Sequence, residues 1–298
     1  MMFRNISRLV RYINHHPLAS KHKAKAYGNL LKWQIGQKLL PFPVEYPFIE
    51  NSKILLKKGW AGGTGNIYAG LQDFSEMSFL LHFLSHGDVF ADVGANIGSY
   101  SILASACKGA VSWAFEPVPA TFEILQSNIY VNRMESNAFI HNCGIGSGPS
   151  RMYFTKNENT ENHVLLNGSQ SAISIEVAVD SLDNILGAAN CPALIKIDVE
   201  GYEQEVIRGA GAILANKQLK AIIIELNGSG GRYGYSEKQI HEELGSFGFV
   251  PCNYEPFSRT LTTLDTFGAH NTIYVRNIDE VAEKLKKAPS FRVFSEDI

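Results

Sequence analysis

Two short stretches hold residues whose types and spacing can do chemistry. In Phe90-Ala91-Asp92-Val93-Gly94-Ala95-Asn96-Ile97-Gly98-Ser99 an apolar run ends in an acid, a glycine turn follows, and a helix opens. Gly94 permits a tight turn and Gly98 a close approach between helix and ligand. The unpaired N–H groups of a helix start, with their positive potential, suit a carboxylate or a phosphate. A dinucleotide fingerprint reads G-x-G-x-x-G, and here Asn96 stands where the middle glycine belongs. A pyrophosphate needs that glycine, whereas a smaller amino-acid head group does not. Glu116 follows Asp92 by 24 residues and ends the next strand, just before Pro117. An acid at that tip is placed to accept from both hydroxyls of a ribose. Asn142-Cys143-Gly144 closes a third strand where an adenine edge would lie, although Asn and Gly are also ordinary turn residues.

The second stretch is Lys196-Ile197-Asp198-Val199-Glu200-Gly201. Strand alternation puts Lys196, Asp198 and, if the strand persists, Glu200 on one face. Lys196 sits in an otherwise apolar strand and needs a carboxylate partner there, from Asp198 or Glu225. Glu200 precedes a helix, so it reads both as an acid favoured by the helix dipole and as a reactive group. Glu225 ends the following strand and faces the same crevice. Asp198, Glu200 and Glu225 could converge, but no histidine pair stands at ligand spacing and no metal is expected.

The elements that must position these residues alternate from residue 88 onward. Strands are expected at 88–93, 111–116, 137–142, 193–199, 221–226, 248–254 and 271–276, with helices at 97–107, 119–132, 181–187, 202–215 and 236–247. Continuous runs such as Ala221–Ile224 suit strands covered on both faces, as in a parallel sheet within a doubly wound α/β layer. Segments 151–155 and 174–179 do not alternate with helices and read as an inserted hairpin. It carries His163, which could close over an acceptor as a base. Upstream, helices at 4–13 and 22–40 end at Pro41, Pro43 and Pro47, and 59–66 is a glycine-rich loop before a helix at 75–85. Tyr68 and Glu76 there are candidates to line a cofactor pocket. The expected division is a basic helical segment 1–66, a main domain 67–278 and a tail 279–298 that starts helical and then loses its pattern.

Bulk properties narrow the classes. The 298 residues are 45% hydrophobic and 19% charged, which suits a folded α/β domain. Cys107, Cys143, Cys191 and Cys252 lie far apart, against a disulfide framework and in keeping with a reducing compartment. No apolar run reaches the roughly 18 residues of a membrane span, and the N-terminus has no signal-peptide core, so a cytoplasmic location is expected. The match Asn167-Gly168-Ser169 then carries no glycosylation meaning. Residues 1–60 hold eleven basic residues against two acidic ones, and the remainder 16 against 27. Such a basic segment either folds onto its own acidic domain or reaches an acidic partner, a glycan or a membrane surface. An acidic main domain lacks the footprint of a nucleic-acid binder.

Taken together, FADVGANIGSYS, AFEPVPATFEILQSNIYVN, VDSLDNIL, LIKIDVEGYEQEVIRGA, IIIELN and the late NTIYV block resemble the FkbM family of methyltransferases over most of 75–276. The resemblance implies a seven-stranded Rossmann-like sheet with helices on both faces. It also implies S-adenosylmethionine as methyl donor and usually O-methylation of a sugar, a glycan or a secondary metabolite. On that reading Asp92, Gly94, Ala95, Asn96, Gly98, Ser99, Glu116, Pro117, Asn142 and Cys143 hold the cofactor, with Glu76 and Tyr68. Asp198 acts as base or orienting group, with Glu200, Lys196 and His163 as further catalytic candidates. The rival classes are an NAD-dependent sugar-modifying oxidoreductase, which lacks its fingerprint here, and a nucleotide-binding module without turnover.

Overall fold

A computed structural model describes residues 2–40, 42–57, 60–155, 163–165 and 174–298. Most of the insert between Thr155 and Ser174, including the Asn167–Ser169 match, lies outside the described residues. The chain opens with helices α1 (Met2–His15) and α2 (Lys23–Leu39), then a hairpin of β1 (Val44–Pro47) and β2 (Lys53–Leu56). Helices α3 (Thr64–Ala69) and α4 (Phe74–Phe83) lead into the main layer. There follow β3 (Val89–Val93), α5 (Ser99–Ile102) with a π turn to Cys107, β4 (Val111–Phe115), α6 (Pro119–Val131) and β5 (Ala138–His141).

The insert supplies β6 (Gly144–Ile145), β7 (Ser150–Thr155), β8 (Val164–Leu165) and β9 (Ser174–Asp180), a small sheet of its own in the order β6-β9-β7-β8. After α7 (Leu182–Leu186) come β10 (Leu194–Ile197), α8 (Glu203–Arg208), α9 (Gly211–Ala215), β11 (Ala221–Glu225) and α10 (Glu237–Ser246). The chain closes with β12 (Val250–Glu255), β13 (Thr260–Thr263), β14 (Asn271–Val275), α11 (Ile278–Lys286), β15 (Arg292–Val293) and β16 (Glu296–Asp297).

The main sheet runs β5-β4-β3-β10-β11-β14-β12-β13. Its first five strands are parallel, and β14 is antiparallel to both neighbours. This is the Rossmann-like sheet that the resemblance implies, with an eighth strand added: β13 turns back on β12 at the edge. Its residues Thr-Leu-Thr-Thr are mostly exposed, so no apolar period marks it. Strand order reverses between β3 and β10, the switch point where open α/β sheets bind ligands.

Alternation explains the apolar run in β11: Ala221 and Ile223 join one core with Phe79, Phe83 and Tyr254, while Ile222 and Ile224 join the other with Val206 and Leu244. The helix expected at 202–215 is two helices. At Gly209 the chain passes so close to Gly146 that a Cβ would run into the Gly146 carbonyl oxygen. The tail does have a pattern, a two-strand hairpin that buries Phe291, Val293 and Ile298 against the α4 side of the sheet. The N-terminal segment folds onto the domain, as Ile13, Ala26, Ile54 and Leu56 share a core with Ile102, Leu125 and Ile129.

Candidate functional site

A cavity of about 280 Å³ opens at the carboxyl ends of β3, β4, β10 and β11. Its floor is the turn after β3. Gly94, Asn96 and Gly98 all carry positive φ (80°, 53° and 90°), so three left-handed residues in five swing the chain into α5. Gly94 is needed for a second reason: a Cβ there would collide with the Asp198 carbonyl oxygen. At Gly98 a Cβ would meet Leu125 of α6 at 2.6 Å, so this glycine serves helix packing and does not line the cavity. Asn96 accepts from the Ile97 N–H through its own Oδ1. The same amide packs against Gly62, where a Cβ would lie 2.5 Å from that oxygen.

Glu116 is buried at the tip of β4 and accepts from the backbone N–H groups of Asn96 (3.0 Å) and Val118 (2.9 Å). Two of its roughly four lone-pair sites stay open toward the cavity. That is the acceptor set the two hydroxyls of a ribose diol require. Burial pushes its pKa up to about 7, against the pull of those two N–H groups. Asn142 lies behind this wall, donating to the carbonyls of Glu116 (2.9 Å) and Pro117 (3.1 Å), and it shapes the tip without lining the cavity. Ala95, Ser99, Pro117 and Cys143 do line it, with Val118 and Ile145. An apolar slot beside an open carboxylate fits a nucleoside.

The other end is ionic. Lys196 is nearly fully buried, with 4% of its side chain exposed, and its Nζ donates to Asp198 Oδ2 at 2.7 Å. Parallel pairing sets Asp92 directly across from it on β3. Burial acts to lower the Lys196 pKa, but the Asp198 and Asp92 carboxylates outweigh it and the ammonium is held above its usual range. For Asp198, a third exposed, burial acts upward and the adjacent ammonium wins, holding the carboxyl below its usual range. Burial raises the buried Asp92, which also accepts from Ser101 Oγ at 2.7 Å. Glu225 hydrogen-bonds Asp198, and burial with that neighbouring charge pushes it up to about 8. The two carboxyls thus hold one proton between them at neutral pH.

Glu200 departs from the strand-face expectation, because β10 ends at Ile197 and Glu200 sits in a left-handed turn with φ 54°. The helix-start role belongs to Glu203, whose Oε1 accepts from the N–H groups of Val199 (3.2 Å) and Gly201 (3.1 Å). Glu200 lines the cavity, and its carboxylate comes within 4.8 Å of those of Asp198 and Glu225. The sequence left this convergence open and expected no metal. Three carboxylates at that spacing are enough to hold one divalent cation with waters, and Asp198 in addition has the Lys196 ammonium for countercharge.

His163 lies at the edge of the insert, where its backbone pairs with Thr155, and its side chain does not line the cavity. Its neighbour Val164 does, as does Phe154. Tyr68 is buried in the N-terminal core, its hydroxyl engaged by Gln34 and Thr64. Glu76 stands one turn behind the wall, raised to about 7 by burial and by Asp73. Neither reaches the cavity.

Residues that sequence reasoning missed include Asp73 and Tyr100. Tyr100 donates to Asp73 Oδ2 at 3.0 Å, and its ring lies 4.8 Å from Lys196 Nζ, so both belong to the ionic end. Asp73 reads in sequence as an ordinary acid before a helix. Tyr202 also lines the cavity, packed edge-on to Tyr233 with ring centroids 5.4 Å apart. Tyr233 in turn donates to the Val164 carbonyl at 2.9 Å, which ties the insert to the 229–233 turn.

Residues 92–251 match the family model described as the methyltransferase FkbM domain. A hexuronic acid methyltransferase, AglP, of Haloferax volcanii is 30% identical over 149 residues, covering 50% of this chain and 59% of that protein. The 31-O-demethyl-FK506 methyltransferase FkbM of Streptomyces tacrolimicus is 29% identical over 171 residues, 46% of this chain and 65% of that protein. The chain thus spans about three fifths of the curated relatives it matches. Among solved structures, TYW2 of Pyrococcus horikoshii, in complex with MeSAdo, gives a TM-score of 0.44 at 13% identity, covering 79% of this chain and 70% of that one.

Proposed function

The chain belongs to the FkbM methyltransferase family, and from that premise we propose that it transfers a methyl group from S-adenosylmethionine to a hydroxyl oxygen of a sugar, a glycan or a secondary metabolite. One observation carries the reading. A single cavity joins a carboxylate with open lone pairs, Glu116, to a proton-accepting pair, Asp198 and Glu225.

S-adenosylmethionine, when bound, supplies a methyl carbon made electrophilic by the sulfonium. Glu116 would hold its ribose, the apolar slot of Pro117, Val118, Cys143 and Ile145 its base, and the β3–α5 turn its amino-acid end. The remaining work falls to the ionic end. A hydroxyl is a poor nucleophile until its proton has somewhere to go. Asp198, fixed by Lys196, accepts the hydrogen bond of the acceptor hydroxyl, and with Glu225 it forms one acid–base unit. That unit takes up a proton with a pKa of about 8, set by Glu225. Lys196 serves to position: its ammonium keeps Asp198 ionised and neutralises Asp92. Phe154, Val164 and Tyr202 cover the acceptor side and limit water, which sharpens near-attack alignment.

The relatives named for a hexuronic acid and for 31-O-demethyl-FK506 support a hydroxylated small molecule or glycan as substrate. The test is transfer of labelled methyl from S-adenosylmethionine to extracts of host metabolites and glycans. One labelled product, absent with Asp198→Asn, supports the reading. Label transfer that is unchanged in that variant contradicts it.

A further inference from the structure

Helix α2 is apolar on two opposite sides. Ala26, Leu30 and Trp33 face the N-terminal core. At 3.6 residues per turn, Leu31, Ile35 and Leu39 centre on a direction roughly 180° around the helix from those three. They are exposed at 62%, 52% and 73%. Leu40 (38%) and Phe42 (55%) are also exposed, just past the helix end. Five of the large exposed apolar side chains of the described residues thus lie within a dozen positions of one another, and single scattered ones need no explanation whereas a contiguous set does.

The rim of the stripe has one sign. Lys32 and Lys38 fall on its two flanks, both exposed and neither in an ion pair among the described residues. Helix α2 contains no acidic residue, and residues 1–60 carry eleven basic residues against two acidic ones. Lys21 and Lys25 on the same segment are engaged over Phe257 and Phe294, whereas Lys32 and Lys38, which flank the stripe, have no such ring contact among the described residues. We propose that this face of α2 docks on an anionic membrane surface, with Leu31, Ile35 and Leu39 entering the acyl boundary and Lys32 and Lys38 resting at the phosphate level. Long lysine stems reach outward from an apolar patch in this way, and an interfacial helix combines both elements. A second copy of the chain fits the face poorly, because a two-fold contact would set lysine rims of like charge against each other. No helix of the described residues is long and apolar enough to cross a membrane, so the contact is a surface one.

Flotation of the full chain with vesicles tests this, using phosphatidylcholine alone and phosphatidylcholine with about a third phosphatidylserine. The expected result is binding to the anionic vesicles only, weakened in high salt. Leu31→Gln/Ile35→Gln/Leu39→Gln and Lys32→Glu/Lys38→Glu should each lower the bound fraction about tenfold or more. Their melting temperatures should match the wild type, since these side chains make no core contact. Equal binding to neutral vesicles, no binding to either, or a triple variant that binds like wild type would each overturn the proposal. So would a lipid-free dimer in sedimentation velocity that the triple variant turns into monomer, which would give the face to a second copy.

Discussion

The two ends of the cavity are built differently. The nucleoside end is more local: a glycine turn, the tip of β4 and backbone N–H groups from residues 94–118, with Cys143 and Ile145 completing the apolar slot. The ionic end is assembled from Asp73, Tyr100, Lys196 with Asp198, and Glu225, which come from four separate places in the chain. A binding end made of backbone and one carboxylate tolerates change elsewhere. A reactive end made of coupled charges does not, because each group sets the protonation of the next. Gly94 joins the two, since its missing side chain lets the turn pass the Asp198 carbonyl.

The sharpest break between the ends should come from single carboxylates. Glu116→Ala should raise the dissociation constant for S-adenosylhomocysteine about 10²–10⁴-fold, the worth of two hydrogen bonds to a charged group. Calorimetry beside a melting curve separates that loss from unfolding. Asp198→Asn should do the reverse, lowering kcat about 10²–10⁴-fold while ligand affinity holds. If Asp198→Asn lost affinity as severely as Glu116→Ala, the division into two ends would fail.

A second set addresses coupling within the ionic end. Lys196→Met strands Asp92 and Asp198 without their ammonium and should destabilise the fold by about 3–5 kcal/mol in denaturant unfolding. Adding Asp198→Asn should recover part of that loss. Glu225→Gln should lower kcat on the order of tenfold at alkaline pH. The wild-type rate should rise through about pH 8, where Glu225 gives up its proton, and the variant should lack that inflection. An inflection that survives in Glu225→Gln assigns the proton elsewhere.

The smallest expected effect is on stability against pH. Glu76, Glu116 and Glu203 are raised to about 7 and Glu225 to about 8 by burial, so the folded chain binds more protons than the unfolded one up to those values. Stability from these groups is present below their unfolded pKa and is lost as pH rises through the folded ones. His16 and His82, lowered by burial, act in the opposite sense below about 6.5. The ligand-free melting temperature should therefore fall between about pH 6.5 and 8. A flat or rising curve there would show that these carboxyls are not strained when the cavity holds no ligand.

The same contrast governs what could be read from the residues alone. The turn after β3 is legible because it needs particular residues in a row, Gly94 to Gly98, and Glu116 because it ends the next strand; Asp92, read there as a cofactor residue, instead faces Lys196. The α/β alternation was legible for a similar reason, since buried parallel strands demand continuous apolar runs such as Ala221–Ile224. Asp73 and Tyr100 left no trace, because an acid before a helix and a tyrosine within one are ordinary locally and gain meaning only from Lys196. Glu200 and Glu203 are both acids near one glycine, and only the backbone tells which stands in the first turn of α8. The edge strand β13 and the tail hairpin are too short and too exposed to carry a period.

One measurement bears most directly on the central claim that this cavity is a nucleoside site gripped by Glu116. Wild type and Glu116→Ala should be titrated calorimetrically with S-adenosylhomocysteine and, separately, with NAD. The account requires that the wild type bind the first and not the second, and that Glu116→Ala, still folded, bind neither. Wild-type binding of NAD, or undiminished S-adenosylhomocysteine binding by folded Glu116→Ala, would contradict it.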